Sequence, residues 1–494
     1  MVFETSSGRV QGRASADGVT AVLGIPYAAE PFAARRFREP QPAAGWAGIR
    51  DCTAFGPIAP QSAELPGAPV WREGDEDILT VNVWVPDRAG AGALPVFFWI
   101  HGGAYTFGSS AQPDFDGTAL ARAGLVVVSC NYRVGFEGFG HVRGFPDNRG
   151  LLDQAAALRW VRENIASFGG DPGNVTVAGH SSGAGSIACL MTMEQTRGLF
   201  RRAIAHSVPR AYFAVELAQA VTERIAVEAG IAPAAEALLS LSPARLVAAS
   251  DEAAANSGAG PAAAVHAFDS VLFQPVVDGE VLPANPLRAV AAGTARQVDL
   301  LACHTLEEYW FLHTVGAVRE VTTESELADF AEALGLPDHL VDGYRALMPE
   351  APVLDRYLAM SGDAQFGEYT TRLAEHHARA GGRAYLARFA RRRADARPWH
   401  TADVPFAFGN LDAVGADFLI GGAPDDHDRA LSARMLRSWA DFASTSAPGW
   451  PAVTAGATPV KHWAFPDDHL AADDRSDLRA LWRDVRFDLM RPGR

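Results

Sequence analysis

The pentapeptide GHSSG at residues 179–183 can supply a serine nucleophile. It is the one match to G-x-S-x-G in the chain, and it stands between the β-branched run NVTVAG and the helix-compatible run AGSIACLMTM. A strand, a sharp turn and a helix around this motif hold the serine in a strained conformation that exposes its hydroxyl. The glycines at both ends of the motif leave room for that turn. The pattern therefore predicts Ser181 as a nucleophile on a strand-to-helix turn.

A serine hydroxyl becomes a good nucleophile only when an imidazole removes its proton and a carboxylate orients the imidazole. His180 adjoins Ser181. Adjacent side chains on a tight turn project in different directions, so we interpret His180 as a buried packing residue. The residue types alone do not single out the base or the acid. They predict only the chain order typical of such folds, which is serine, acid, histidine.

Backbone amides that could stabilise an oxyanion follow the apolar run VFFWI at 96–100. The sequence there reads His101-Gly102-Gly103-Ala104. Hydrolysis of an acyl group needs N–H donors aimed at the oxygen on which charge develops. An ordinary tight turn is the alternative interpretation of these residues.

Strand-like and helix-like segments alternate around these motifs. Continuous apolar runs at 96–100 and 125–130 are typical of strands covered on both faces, 297–303 is a further predicted strand, and 153–167 has helical spacing. This alternation predicts a large, mostly parallel sheet flanked by helices. Further helical stretches near 214–265 and 323–383 are interpreted as insertions over the active site. With no long linker, we expect one domain over residues 1–494.

The composition excludes several classes of partner. The chain has 494 residues, is 48% hydrophobic and carries a net charge of −15, which repels nucleic acids and anionic membranes. No run approaches 18 uninterrupted apolar residues, and the polar N-terminal segment lacks a signal-peptide core. We expect a cytoplasmic protein. A secreted protein would require that a signal peptide had been removed.

The four cysteines are widely spaced and form no CxxC pair. This spacing predicts neither a zinc ribbon nor a disulfide scaffold, and it is typical of a reducing compartment. The chain also lacks HExxH and clustered Cys/His ligands. We therefore expect no metal and no organic cofactor.

Long segments resemble the type B carboxylesterases, the cholinesterase-like and p-nitrobenzyl esterase-like branch of the α/β-hydrolases. The similarity extends over nearly the whole chain. It is carried by GIPYA (24–28), GDEDILTVNVWVP (74–86), WIHGGAYTFGSS (99–110), NYRV (131–134), residues 147–183, PVVDGEVLP (275–283), VDLLACHTLEE (298–308), RPWHTADVPFAFGN (397–410) and SWADFAS (438–444). The resemblance implies the α/β-hydrolase fold.

The resemblance also implies roles for individual residues. It implies a triad of Ser181, Glu308 and His400, with oxyanion donors at the amides of Gly103, Ala104 and Ser182. Ser207 is a candidate supporting hydroxyl. Aromatic residues that flank the motifs are candidates for the substrate pocket: Tyr105, Phe107, Phe311, Phe406 and Phe408. The implied activity is hydrolysis of small-molecule carboxylic esters through an acyl-enzyme.

Five positions depart from the family pattern. The family usually has Glu and Ala on either side of the nucleophile, where this chain has His180 and Ser182. The other three departures are Tyr309 for the glycine of D-E-G, Val208 for the glycine of Q-S-G, and Ile78 for the cysteine of E-D-C-L. Because Glu307 and Glu308 are adjacent, either could be the acid, and the resemblance favours Glu308.

Two alternative functions remain open from the sequence. An acyl transferase or lactone-forming enzyme would use the same triad, with an alcohol in place of water as acceptor. A non-catalytic interaction protein on the same scaffold typically lacks the nucleophile, whereas Ser181 is present. Neither the ester substrate nor the oligomeric state can be read from these residues.

Overall fold

A computed structural model describes residues 1–15, 17–63, 70–87, 92–256, 271–393, 396–473 and 475–492. Part of the predicted helical insertion at 214–265, namely 257–265, lies outside the described residues. Among the helices of the described residues, none is both long and apolar enough to span a bilayer.

An 11-stranded sheet forms the centre of the fold. The strands of the chain are β1 Val2–Thr5, β2 Gly8–Gln11, β3 Arg13–Ala14, β4 Val19–Pro26, β5 Ile49–Asp51, β6 Thr80–Pro86, β7 Leu94–Ile100, β8 Val126–Cys130, β9 Gly170–His180, β10 Arg202–His206, β11 Phe213–Ala214, β12 Val276–Val277, β13 Asp299–Thr305, β14 Ala384–Phe389, β15 Val460–Trp463 and β16 His469–Ala471. The order in the large sheet is β16-β15-β14-β13-β10-β9-β7-β8-β6-β4-β3. All pairs from β15 to β8 are parallel, and the pairs at both edges are antiparallel. The predicted α/β class with a mostly parallel sheet is confirmed.

Both faces of the sheet are covered, which explains the continuous apolar runs of its central strands. In β7, Val96 and Phe98 belong to one hydrophobic core, while Phe97 and Trp99 belong to the core on the opposite face. Side chains of a strand alternate between faces, so a strand buried on both sides has no polar alternation.

Helices surround the sheet. The α-helices are Thr118–Arg122, Gly135–Phe139, Arg149–Asn164, Ser182–Leu190, Val215–Ala229, Ala235–Ser240, Pro243–Ala255, Pro286–Ala291, Tyr309–Thr314, Glu324–Ala333, Asp338–Leu347, Val353–Gly362, Glu368–Arg379, Val404–Phe408, Ala416–Ile420, Asp426–Thr445 and Ser476–Trp482. Short 3₁₀ turns are Ala33–Arg35, Pro113–Phe115, Ile165–Phe168 and Glu194–Thr196, and Asp363–Gly367 is a π-helical turn.

The helix predicted at 153–167 begins earlier, at Arg149. Arg149 is fully buried, and its guanidinium donates hydrogen bonds to the carbonyl oxygens of Phe136, Glu137 and Gly140. A charged residue at a helix start normally indicates a solvated position. The apolar periodicity therefore missed the first turn of this helix.

The carboxyl ends of four neighbouring parallel strands bring the predicted site together. Ile100, Gly179, Ala205 and Ala302 are aligned across β7, β9, β10 and β13. The oxyanion segment, Ser181, Ser207 and Glu308 follow the ends of these strands in turn. Segments that are distant in sequence thus meet at one edge of the sheet.

Candidate active site

Ser181 lies on the turn between β9 and the helix Ser182–Leu190. Its backbone has φ 55° and ψ −126°, a strained conformation for a residue with a side chain. A Cβ at Gly183 would lie 2.2 Å from the carbonyl oxygen of Ile100, and a Cβ at Gly179 would lie 2.8 Å from the same atom. Both glycines are therefore required by the close approach of β7 to the turn.

The three predicted triad residues form a hydrogen-bonded series with His400 in the middle. Ser181 Oγ is 2.9 Å from His400 Nε2, and His400 Nδ1 is 2.5 Å from Glu308 Oε2. The carboxylate can only accept, so Nδ1 carries the proton and Nε2 accepts from the serine hydroxyl. His400 is 5% exposed and Glu308 is 2% exposed, so both are shielded from bulk water.

The carboxylate of Glu308 is held in one orientation by two further donors. Ser207 Oγ–H donates to Oε1 at 2.6 Å, and the Thr305 N–H donates to the same atom at 2.8 Å. Oε2 is thereby left to His400. This hydrogen bond is consistent with the supporting role predicted for Ser207.

Glu307 does not face His400. Its carboxylate pairs with Arg392 and lies 2.8 Å from Arg397 Nη1. The two glutamates do not lie in an extended strand. β13 ends at Thr305, and Glu308 has helical angles, φ −46° and ψ −52°, at the start of the helix Tyr309–Thr314.

Two aromatic rings pack against the imidazole of His400. The Phe366 ring is stacked on it with centroids 4.4 Å apart, and the His180 ring lies 4.7 Å away. Burial, reinforced by neighbouring His400, holds the pKa of His180 well below its usual range. His180 is therefore neutral at pH 7, and the structure places it as a packing residue beside the triad.

A second buried acid–imidazole pair lies close enough to His180 to affect its pKa, and it was not predicted from the sequence. His206 Nδ1 is 2.7 Å from Asp403 Oδ2, and Trp439 Nε1 donates to His206 Nε2 at 2.8 Å. Burial raises the pKa of Asp403, but the charge and hydrogen bond of His206, together with His180 and His400, bring it below its usual value. The only signal in the sequence is that Asp403 follows His400 by three residues.

One group of side chains in the described part of the chain has metal-ligand types close together. The ligand atoms of His206, Cys303 and Asp403 all lie within 4.8 Å of one another. However, both ring nitrogens of His206 are engaged: Nδ1–H donates to Asp403, and the lone pair of Nε2 accepts from Trp439. Neither nitrogen is free for a metal, and we interpret this group as a hydrogen-bonded cluster.

Gly103, Ala104 and Ser182, whose backbone amides are the predicted oxyanion donors, line the same cavity as Ser181. Gly103 and Ala104 have positive φ, 116° and 52°, and Ser182 begins the helix after the nucleophile. A Cβ at Gly103 would lie 2.1 Å from the Phe107 carbonyl oxygen, so this position requires glycine. A helix N-terminus with adjacent free N–H groups favours negative charge.

His101 contacts the segment 102–104, which holds two of the predicted oxyanion donors. Its ring is stacked on Tyr132 with centroids 4.4 Å apart, and its Nδ1–H donates to the Gly102 carbonyl oxygen at 2.7 Å. Burial lowers the pKa of His101 to about 4, so the ring is neutral. It therefore supports the segment without adding positive charge.

A cavity of about 880 Å³ opens onto Ser181. Tyr105, Phe107 and Phe311 line it as predicted. The prediction that Phe406 lines it is wrong. Phe406 packs in the core against Phe389, with ring centroids 5.1 Å apart, and it does not reach the cavity. The short helix Val404–Phe408 turns this ring, like that of Phe408, toward the core.

One charged residue in the cavity wall was not foreseen. Asp114 lies on the turn Pro113–Phe115, and burial raises the pKa of its carboxyl to about 6. Its turn is held in place because Asn410 Nδ2 donates to the carbonyl oxygens of Asp114 and Asp116, at 3.0 and 2.9 Å.

The sequence is similar to those of known proteins over most of its length. Residues 1–465 match the sequence model of the carboxylesterase family. The chain is 35% identical over 473 residues to the para-nitrobenzyl esterase of Bacillus subtilis (strain 168), covering 91% of this chain and 92% of that protein. It is 33% identical over 448 residues to the phenmedipham hydrolase of Pseudarthrobacter oxydans, covering 87% of each.

Solved structures show the same fold. A PNB esterase structure superposes with a TM-score of 0.86 at 31% identity, covering 97% of this chain and 99% of that one. A carboxylesterase from Geobacillus stearothermophilus gives a TM-score of 0.83 at 33% identity, with the same coverage. The architecture is therefore shared over nearly the whole chain.

Proposed function

The chain belongs to the carboxylesterase family, and from this premise we propose that it hydrolyses carboxylic esters through a covalent acyl-enzyme on Ser181. The observation that carries the proposal is the unbroken hydrogen-bonded series from Ser181 Oγ through His400 to Glu308. This arrangement activates a serine without a metal ion, because the imidazole accepts the hydroxyl proton as the C–O bond forms.

Acylation begins when Ser181 Oγ attacks the ester carbonyl and its proton passes to His400 Nε2. The carbonyl oxygen becomes an oxyanion, and the amides of Gly103, Ala104 and Ser182 are the donors that we assign to it. The C–O bond to the alcohol then breaks, and His400 returns the proton to the leaving alkoxide. The acyl group remains on Ser181.

Deacylation repeats these steps with water as the nucleophile. His400 removes a proton from water, the hydroxide attacks the acyl carbonyl, and the bond to Ser181 Oγ breaks with return of the proton to the serine. The products are a carboxylic acid and the regenerated enzyme. Glu308 stabilises the imidazolium that forms in each half-reaction, since its Oε2 faces the Nδ1–H of His400.

The substrate class follows from the cavity. The wall of the cavity is mostly apolar and aromatic, and the cavity has a volume of about 880 Å³, which suits a small-molecule ester. One relative named above is a para-nitrobenzyl esterase, which supports esters that carry a benzyl group. The wall draws residues from Gly102 through Leu419, which supports one catalytic domain over the chain.

A matched pair of variants tests the assignment of the nucleophile. Ser181→Ala removes the attacking oxygen and should lower kcat for p-nitrophenyl esters by about 10³-fold or more. Ser182→Ala, one residue away, keeps the backbone amide and should retain activity within about tenfold. Equal losses in the two variants, or hydrolysis retained in Ser181→Ala, would overturn the proposal.

A further inference from the structure

The imidazole of His400 needs more than its two hydrogen bonds to stay in position. Its Nδ1 lies 2.5 Å from Glu308 Oε2, and its Nε2 lies 2.9 Å from Ser181 Oγ. Hydrogen bonds of the ring nitrogens lie near the ring plane, so they leave the ring free to rotate about the axis that joins the two partners. Contacts on the faces of the ring must therefore restrain this rotation.

The phenyl ring of Phe366 makes such a contact. Its centroid lies 4.4 Å from the centroid of the His400 ring, and the two planes are inclined by 30°, a stacked arrangement. Phe366 is 8% exposed and His400 is 5% exposed, so little water reaches the contact. The imidazole thus faces the π-system of a phenyl ring in a poorly hydrated site.

Phe366 lies in the π-helical turn Asp363–Gly367, between the helix Val353–Gly362 and the helix Glu368–Arg379. Such turns are rare, and within α-helical segments they occur frequently at functional sites. The extra residue of a π-helical turn changes the direction of the side chains beside it, relative to a continuous α-helix. All five residues of this turn are buried. We therefore attribute the direction of the Phe366 ring to the turn.

Buried polar contacts hold the turn at its start and in its middle. The carboxylate of Asp363 accepts from the Tyr344 hydroxyl at 2.5 Å and from two nitrogens of Arg475 at 2.8 Å each. The Gln365 carbonyl oxygen accepts from the Arg210 N–H at 3.0 Å. A bidentate arginine–carboxylate pair fixes geometry as well as adding energy. The phenyl ring is therefore carried by a fixed backbone.

The stacked ring also acts on the charge that His400 acquires. In the proposed mechanism His400 becomes an imidazolium when it accepts the proton of Ser181. A cation over an aromatic face, within about 6 Å of the ring centroid, is attracted by the ring quadrupole, most strongly where water is excluded. The separation of 4.4 Å lies inside this limit. A neutral imidazole gains much less from the quadrupole, so the contact favours the charged form.

We propose that Phe366 is a positioning residue for His400. Its ring face keeps the imidazole in line with Ser181 and stabilises the imidazolium that forms in each half-reaction. This role deepens the proposed function and rests on it.

The two steps of the reaction determine which kinetic constants should change. Acylation and deacylation both pass through the imidazolium, so a weaker contact should lower kcat and kcat/KM by the same factor and leave KM unchanged. Phe366 also lines the cavity. A role in substrate binding alone would instead change KM, and it would depend on the size of the acyl group.

Fluorinated phenylalanines at position 366, introduced by nonsense suppression, test the contact while nearly preserving the shape of the ring. Fluorine withdraws electron density from the ring face and weakens its attraction for a cation. The series runs from phenylalanine through the 4-fluoro, 3,5-difluoro and 3,4,5-trifluoro forms to pentafluorophenylalanine. The constants kcat and KM are measured for p-nitrophenyl acetate, whose small acyl group leaves most of the cavity empty, and for p-nitrophenyl octanoate.

The logarithm of kcat should fall stepwise with the number of fluorine atoms. With pentafluorophenylalanine the loss should reach about 5- to 30-fold, the range expected for a desolvated cation–π contact. The factor should be the same for the two esters, with KM within about threefold of wild type. Phe366→Leu has no π-system and should lose at least as much in kcat.

Phe406 supplies the matched control. It is buried in the core and does not line the cavity. The same fluorinated residues at position 406 should leave kcat within about twofold of wild type. Thermal unfolding of each variant in both series verifies that it is folded.

Three results would overturn the proposal. The first is a kcat that does not depend on the number of fluorine atoms at position 366. The second is a loss with octanoate and not with acetate, because it would assign the ring to substrate binding. The third is an equal loss in the series at position 406. Failure of the proposed function is distinguishable, because then the wild type would hydrolyse neither ester.

Discussion

Replacing Glu308 by glutamine should nearly abolish hydrolysis, and the hydrogen bonds around the carboxylate explain why. Ser207 Oγ–H and the Thr305 N–H both donate to Oε1, at 2.6 and 2.8 Å. In the variant the amide oxygen must occupy this position, because the amide NH₂ cannot accept. The NH₂ then faces His400 Nδ1, which is 2.5 Å from Oε2 in the wild type.

This reversal changes the tautomer of His400. An NH₂ donor opposite Nδ1 requires Nδ1 to be an acceptor, so the proton moves to Nε2. Nε2 then cannot accept the proton of Ser181, which lies 2.9 Å away. A triad with the wrong tautomer loses about 10⁴-fold in kcat, although the geometry is preserved. We expect a loss of this size for Glu308→Gln.

The assay is steady-state hydrolysis of p-nitrophenyl butyrate, with folding checked by circular dichroism and thermal unfolding. Glu307→Gln is the matched control, because Glu307 pairs with Arg392 and Arg397 and not with the triad. It should keep kcat within about threefold. If Glu308→Gln stayed within tenfold of wild type, or if Glu307→Gln were the inactive variant, the tautomer argument would be refuted.

Three further predictions follow from the buried groups around the site. All four cysteines are free and buried, and burial raises the pKa of each thiol, that of Cys52 to about 11. A thiol reagent at pH 8 should therefore label none of them before the protein unfolds. Because no disulfide is present among them, a reductant should leave Tm unchanged. The pKa of Asp403 in the folded protein lies below its ordinary value of 3.8. Its pair with His206 therefore stabilises the fold at pH values above 3.8, and this contribution is lost as the pH falls through the folded-state pKa. Asp403→Asn should therefore lower the free energy of unfolding by about 3 kcal/mol at pH 7, measured by urea titration, and the difference from wild type should shrink as the pH falls below 3.8; a difference that does not depend on pH would contradict this. Prolonged dialysis against EDTA should leave kcat unchanged, because both nitrogens of His206 are already engaged; activity lost on chelation and restored by a metal would contradict the mechanism.

The strands and the nucleophile turn could be predicted from the sequence because their signals are local. β7 and β8 are continuous apolar runs, and the strained turn at Ser181 needs glycine on both sides. Glu308 and His400 carry no such local signal. They are 92 positions apart, and only resemblance to the family connected them before the structure placed both beside Ser181.

Features that depend on packing direction were not predictable from the sequence. Phe406 and Phe311 both flank family motifs, yet Phe406 is buried in the core and Phe311 lines the cavity. The pair of Asp403 with His206 joins residues 197 positions apart. The polar turn at Asp114 resembles an ordinary surface loop in sequence, and only the fold places it in the cavity wall.

The central claim is that Ser181 carries the acyl group during turnover. The most direct measurement mixes the enzyme rapidly with p-nitrophenyl butyrate, follows the release of nitrophenolate, and identifies the modified peptide by mass spectrometry after an acid quench. We predict that nitrophenolate forms no more slowly than butyrate is released, and that a butyryl group of about 70 Da is found on Ser181 and on no other residue. A fluorophosphonate should modify the same residue and block turnover. Acylation of a different residue, or full turnover after complete modification of Ser181, would contradict the account.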